Sequence, residues 1–423
     1  MGNSILGTIV IPGVETLLET APGKATAVAG VNQTLAAVIA CLAAEKGKKT
    51  LLVTDNDLKA ARAADDVRQL TGGGVCLPGG EIDLTRAAGS LESSWRRLEA
   101  LSAVAEGRAR ILCAGAEAMA QRMGRPEPFK ALRMALKPGD VIPPAELARR
   151  LGRMGYDRVG MVEGKGQFAQ RGAILDVYPP SLPQGIRIEF FDDEIDGIRE
   201  FDCISQRSQG DMTEAVITPA CEALLDEEEY AEAARRMREA IDGMPGAESG
   251  QADDNLLFDE LPPLPDDEDD AEIFDLKIAP KVREKKYQEQ KELEQDRRLE
   301  RLRADADLLE QGLPFRRMRA WLPVLTDRTA AVCDWFKPDL VLLCEPDRLR
   351  KRTEERLTGF AEDLQSAMAR HEAVSGQESL LKSWDEVLRE LDAYPKGLLT
   401  EILLGLGGIR PENTITIEAT GRT

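Results

Sequence analysis

The chain holds a single histidine, His371, in 423 residues. Sites built from several histidines are therefore excluded, and a Ser-His-Asp triad would have to use this one residue. His371 lies in the polar, helix-like stretch AMARHEAVSG and reads as a solvated surface residue. Paired cysteines are also missing. The seven at 41, 76, 113, 203, 221, 333 and 344 contain no CxxC spacing. That argues against a zinc ribbon or a disulfide framework and fits a reducing cytoplasm with buried thiols. No apolar run reaches the roughly 18 residues of a membrane span. The start, MGNSILGTIVIPG, has no basic stretch ahead of its short apolar one, so a secretory signal is not expected. Positive charge is in deficit, Lys+Arg 55 against Asp+Glu 75 for a net −20. A generic nucleic-acid-binding surface is disfavoured, which leaves room only for a local basic patch and for weak, salt-dependent duplex binding.

Enough apolar sequence is present for an ordered core, and at roughly 150 residues per domain the length predicts two or three domains. Short apolar runs alternate with helical patterns from 25 to 120. Ala25–Ala29, Thr50–Thr54, Gly74–Leu77 and Ala109–Cys113 read as strands; Leu35–Lys46, Leu58–Leu70 and Leu91–Glu106 read as helices. Such alternation predicts a parallel α/β sheet. Met161–Gly210 is instead rich in strands and turns. Phe168–Tyr178 and Ile186–Phe191 read as two strands of a hairpin around Pro179–Gly185, with Glu194–Phe201 as a third strand. Asp253–Asp275 is acidic and Pro-containing, the composition of a flexible linker. Lys277–Arg303 mixes Lys, Arg and Glu at helical spacing and reads as a solvated helix, with a DNA-contacting helix as the sharper alternative. The α/β pattern then resumes with the strand Leu340–Leu343, helices at Arg348–His371 and Trp384–Leu391, and the strand Thr414–Glu418.

Three constellations bear on chemistry. The turn after the first strand is where a phosphate loop, G-x-x-x-x-G-K-[ST], would lie. Thr34 is in register, but Ala27, Asn32 and Gln33 replace Gly, Gly and Lys; Gly30 is the glycine within the turn. A neutral amide cannot supply the missing charge. The strand LVLLCEP ends where nucleotide hydrolases carry Asp-Glu, the Asp on Mg²⁺. Here Cys344 takes the Asp position and Glu345 remains. Finally, period-two alternation on IRIEFF places Ile186, Ile188 and Phe190 on one face and Arg187, Glu189 and Phe191 on the other. The first is the natural core side. The second carries the Arg-plus-aromatic composition of a protein-binding hot spot, or else a half-solvated sheet face with a local Arg–Glu pair. On this reading Arg187 stands clear of the core, and its loss is expected to leave the melting temperature almost unchanged.

The run GQFAQRGAILDVYPP…IRIEFFDDEIDGIREFDCISQRS resembles the second domain of the bacterial transcription-repair coupling factors (Mfd) and, more loosely, the same domain of UvrB. The 27–34 turn and LVLLCEP look like that family's decayed nucleotide motifs, and Thr414–Gly421 like the strand ending in Ser-Ala-Thr that closes the first motor-like domain of UvrB. No long hairpin follows Leu77–Gly80, which favours the coupling factor over UvrB. The resemblance implies a degenerate RecA-like α/β domain, 1–120 with 215–423, carrying an inserted β-rich UvrA-binding domain at 121–214. The second part would hold an acidic linker at about 250–276 and a charged helix at about 277–310. It further implies UvrA binding through Arg171, Arg187 and Phe191. Gly172, directly after Arg171, is expected to permit a bulge that re-aims it. No cofactor is implied for this module, nor any ATP hydrolysis. ATP and Mg, the translocase activity, and the contacts with RNA polymerase and DNA belong to family regions without a counterpart here, so the chain is expected to be a fragment or a truncated reading frame. The alternatives are a nucleotide-binding, helicase-like protein, a UvrB-like excision-nuclease subunit, or a decayed product with no partner.

Overall fold

The computed structural model describes residues 11–80, 82, 84, 91–244 and 296–417. The acidic stretch 253–275, the first part of the charged segment and Glu418–Gly421 lie outside them. Among the described residues the strands are β1 Ala25–Ala29, β2 Thr50–Thr54, β3 Gly74–Leu77, β4 Ile111–Gly115, β5 Met134–Leu136, β6 Asp157–Arg158, β7 Gln167–Arg171, β8 Ile174–Val177, β9 Gly185–Phe191, β10 Glu194–Phe201, β11 Ser208–Asp211, β12 Ala215–Ile217, β13 Leu340–Cys344, β14 Lys396–Thr400 and β15 Asn413–Thr416.

Seven of them make one sheet in the order β15-β1-β14-β13-β2-β4-β3, with every pair parallel. The strands β1, β2, β4 and β14 are buried along their whole length, because helices cover both faces. Helices Gln33–Glu45 and Asp57–Thr71 lay Ala36, Ile39, Ala40, Ala63 and Val67 on one side. Leu101, Phe129, Trp335, Trp384 and Val387 fill the other. This is the RecA-like α/β architecture, with a second sheet placed between its early and late strands.

That second sheet has six strands, β11-β10-β9-β8-β7-β6, antiparallel except for β6 with β7. Its inner face, with Leu175, Val177, Ile186, Ile188 and Phe190, packs on Leu147 and Leu151 of helix Pro144–Arg153. A short pair, β5 with β12, joins the chain entering this unit to the chain leaving it.

Several expectations are corrected. The stretch Phe168–Tyr178 is not one strand but two, β7 and β8, turning at Gly172-Ala173. Gly172 adopts φ +60°, which a glycine reaches without strain, so it makes a tight turn instead of a bulge. The strand placed at Ala109–Cys113 runs Ile111–Gly115. Strand β14 was not anticipated, although it lies centrally between β1 and β13; its sequence, KGLLT, has a charge and a glycine where a buried strand usually carries branched side chains. The described part of the charged segment, helix 296–310, is not solvated all round. Leu299, Leu302, Ala306 and Leu309 are buried in a cluster with Met237, Trp321 and Phe360. His371 is half-buried just past the end of helix Pro346–Ala369, with φ +56°.

Candidate protein-binding face and nucleotide turn

The turn after β1 is compact, and protein groups occupy it. Gly30 has φ +82°, and a Cβ there would come within 2.2 Å of the Ile417 carbonyl oxygen. The Gly30 and Val31 amides donate to the carbonyls of Glu401 and Thr400 at the end of β14. Asn32 caps the following helix, accepting from the Leu35 amide at 2.9 Å. Gln33 donates from Nε2 to the Lys59 carbonyl at 3.1 Å, and Thr34 is exposed. A phosphate loop needs its amides and a lysine turned toward the anion. Here two of those amides and the residue in the lysine position are bonded to protein acceptors.

The acidic-motif position is similar. Burial pushes the Cys344 thiol up to about 12, and a soft sulfur is a poor match for hard magnesium. Glu345 has φ +53°, and its Oε1 accepts from the Glu401 amide at 2.7 Å. Both residues serve the ends of neighbouring strands.

The outer face of the six-stranded sheet is different. Register places Asp176 of β8 directly opposite Arg187 of β9. The Asp176 side chain is 1% exposed and accepts three hydrogen bonds: Arg187 Nε at 2.7 Å, Arg187 Nη2 at 2.9 Å and Arg171 Nη2 at 2.9 Å. The two arginines thus share one buried carboxylate. Arg187 also reaches the Gln206 carbonyl and Ser208 Oγ, each at 3.3 Å, and its guanidinium lies 5.2 Å from the centre of the Phe201 ring. The hydrogen bonds to Asp176 hold it more firmly protonated, outweighing the opposite effect of burial. Arg187 is only 13% exposed, whereas Arg171 is 49% exposed. Farther along β9, Glu189 accepts from Arg199 at 3.3 Å. Phe191, at the strand's end before the Asp192-Asp193 turn, is 75% exposed.

Arg171, Arg187 and Phe191 therefore share one sheet face, but not one role. Arg187 does not stand clear of the fold as expected. It is anchored to Asp176, and beside it Val162, Ala169 and Phe201 form a small second cluster. Arg171 and Phe191 are presented outward. The residue that sequence reasoning passed over is Asp176. Its signal was visible: a lone carboxylate within the apolar strand ILDV, where burial demands a cationic partner.

A parallel RecA-like sheet interrupted by a β-rich unit, whose six-stranded sheet carries Arg171, Arg187 and Phe191 on its outer face, defines an α/β protein with an inserted domain. Residues 134–222, which contain that whole face, match the family of the UvrB interaction domain. The chain is 35% identical over 199 residues to a transcription-repair-coupling factor of Bacillus subtilis, a match covering 46% of this chain and 17% of that protein. It is 30% identical over 188 residues to the transcription-repair-coupling factor of Staphylococcus aureus, covering 44% of this chain and 16% of that protein. The chain thus resembles the N-terminal UvrB-like module of the transcription-repair coupling factors, and it spans about a sixth of the length of the relatives it matches. Among the described residues no helix is long and apolar enough to cross a membrane.

Proposed function

We propose that this chain is a recruiting module of transcription-coupled nucleotide-excision repair, and that it binds UvrA through the outer face of its six-stranded sheet. The observation that carries the reading is Phe191, a large aromatic left 75% exposed at the end of β9 on the same sheet face as half-exposed Arg171, within the segment that matches the UvrB interaction domain. An exposed aromatic next to planar cationic donors suits a partner with an apolar pocket rimmed by carboxylates. In proteins as long as the matched relatives, contacts with RNA polymerase and DNA and any ATP-driven translocation fall to regions outside this module.

Phe191→Ala is expected to weaken UvrA binding at least tenfold, about 1.4 kcal/mol, with an unchanged melting temperature. Ile188→Ala, on the opposite face of the same strand, should do the reverse: it opens a core cavity and costs about 2–5 kcal/mol of stability. Calorimetric titration with UvrA, alongside thermal melts of both variants, tests the reading. Normal UvrA binding by Phe191→Ala would refute it.

We also propose that the module does not turn over ATP. Support comes from Gln33 and Cys344 standing where a phosphate-binding lysine and a metal-binding aspartate would be needed, and from Glu345 being held by the Glu401 amide. A steady-state ATPase assay of the chain should stay at background. Turnover that disappears in Thr34→Ala would overturn this.

A further inference from the structure

The outer face bears a second exposed apolar side chain. Ile204, in the loop between β10 and β11, is 92% exposed. Lone exposed aliphatics are ordinary on protein surfaces, so exposure by itself means little. The setting of Ile204 is not ordinary. Its loop is pinned at every step. Asp202 Oδ1 accepts from the amides of Ile204 at 3.1 Å and Ser205 at 2.6 Å. The Gln206 amide returns to the Asp202 carbonyl at 2.7 Å, and the Asp202 amide donates to the Arg207 carbonyl at 3.1 Å. Gln206 takes φ +58°, and its Nε2 donates to the carbonyls of Cys203 and Val162 at 2.7 and 2.9 Å. The Gln206 carbonyl in turn accepts from Arg187 Nη1.

The loop is therefore rigidly built, and its one large apolar side chain points away from every core cluster. It is tied directly to the arginine at the centre of the proposed partner face. Phe191 stands at the other end, four residues from Arg187 along β9, about 13 Å at roughly 3.3 Å per residue. Met161, also exposed, adjoins Val162, whose carbonyl accepts from Gln206 of the Ile204 loop. The face thus reads as two apolar knobs on either side of an Arg–Asp–Arg cluster. Burying a side chain carried on a pre-ordered loop spares the cost of ordering that loop's backbone on binding, which helps a small apolar contact become an effective anchor.

Resting on the reading that this face binds UvrA, we infer that Ile204 is a second apolar anchor for that partner. UvrA must then offer two apolar pockets separated by carboxylates that meet Arg171 and the exposed edge of Arg187. Interfaces concentrate their energy in such anchors, and a second one fixes the docking angle as well as the affinity.

The test is calorimetric titration of UvrA into the full chain carrying Ile204→Ala, Ile204→Leu or Phe191→Ala, with thermal melts of each. Ile204→Ala is expected to weaken binding about tenfold with an unaltered melt, and Ile204→Leu to retain most of the affinity. If Ile204→Ala binds like the parent while Phe191→Ala does not, the second anchor is refuted and the UvrA face stands. If both bind like the parent, or the parent itself shows no heat of binding, the reading of the face falls and the anchor falls with it. A lowered melting temperature for Ile204→Ala would also refute the anchor, by showing that the side chain serves the fold.

Discussion

Arg187→Ala is expected to cost about 3 kcal/mol of stability, seen as an earlier midpoint in urea or heat. Breaking a buried ion pair from one side typically costs about 3–5 kcal/mol, because the remaining charge is left desolvated. Asp176 is the group left behind: it is 1% exposed, and two of its three hydrogen bonds come from Arg187. Arg171 keeps the third, which puts the expected loss at the low end. The Phe201 ring would also lose its cationic neighbour. Removing the stranded charge as well, with Arg187→Ala and Asp176→Ala together, should recover part of the loss. An unfolding midpoint equal to the parent's for Arg187→Ala would show that the pair is not structural. Weakened UvrA binding by Arg187→Ala thus mixes lost contact with a loosened sheet, and Phe191 and Ile204 are the cleaner probes of the face.

Arg97→Ala should cost more, about 3–5 kcal/mol. Arg97 on helix Leu91–Ala105 is 1% exposed and holds Glu222, 6% exposed, through two parallel hydrogen bonds of 2.5 and 2.8 Å. It also donates to the Pro78 carbonyl at 2.6 Å. The pair borders a cavity of about 970 Å³ whose lining includes Phe168 and Arg319, and it joins helix Leu91–Ala105 and the Pro78 turn after β3 to the chain that follows β12. Arg319 lies 3.8 Å from Glu222, and replacing Arg97 and Glu222 together with apolar residues should recover only part of the loss, since Arg319 then loses its carboxylate. The pH dependence has a definite sign. Burial works to raise the Glu222 carboxyl, but Arg97 and Arg319 together outweigh it and hold the group below its ordinary value. A carboxyl whose folded pKa lies below its unfolded value of about 4.3 adds stability above that value and loses it as the pH falls through the folded pKa. Glu222→Gln should therefore be less stable at neutral pH and lose less stability on acidification below about pH 4.3. Parallel acid-unfolding curves for the two proteins would refute this.

Most strands and helices of the parallel sheet were legible because a buried α/β core writes itself as short apolar runs alternating with amphipathic ones. Strand β14 escaped because Lys396 and Gly397 break that pattern. Their reasons are tertiary: the Lys396 ammonium donates to the Leu391 carbonyl at 3.1 Å, and a Cβ on residue 397 would meet Leu17 and Leu342 at 2.7 Å. The charged segment was half misread for a related reason. Its apolar residues at 299, 302, 306 and 309 form a narrow helical stripe that the surrounding charges obscure, and only the cluster around Trp321 shows that the stripe is covered.

At the partner face, alternation along β9 was enough to separate core from surface, since side chains two apart must share a side. By itself the sequence determined which residues point outward: Arg187, Glu189 and Phe191. It did not determine which of them are available. That depended on Asp176 meeting Arg187 across the β8–β9 register, and on the 202–207 loop folding back over the guanidinium, contacts between residues 11 and 19 positions apart. A charge's cost or worth is set by what surrounds it, and those surroundings exist only once strands from separate parts of the chain are paired. Tertiary structure alone therefore decided that Arg187 belongs to the fold, while Phe191 and Ile204 are left exposed to solvent.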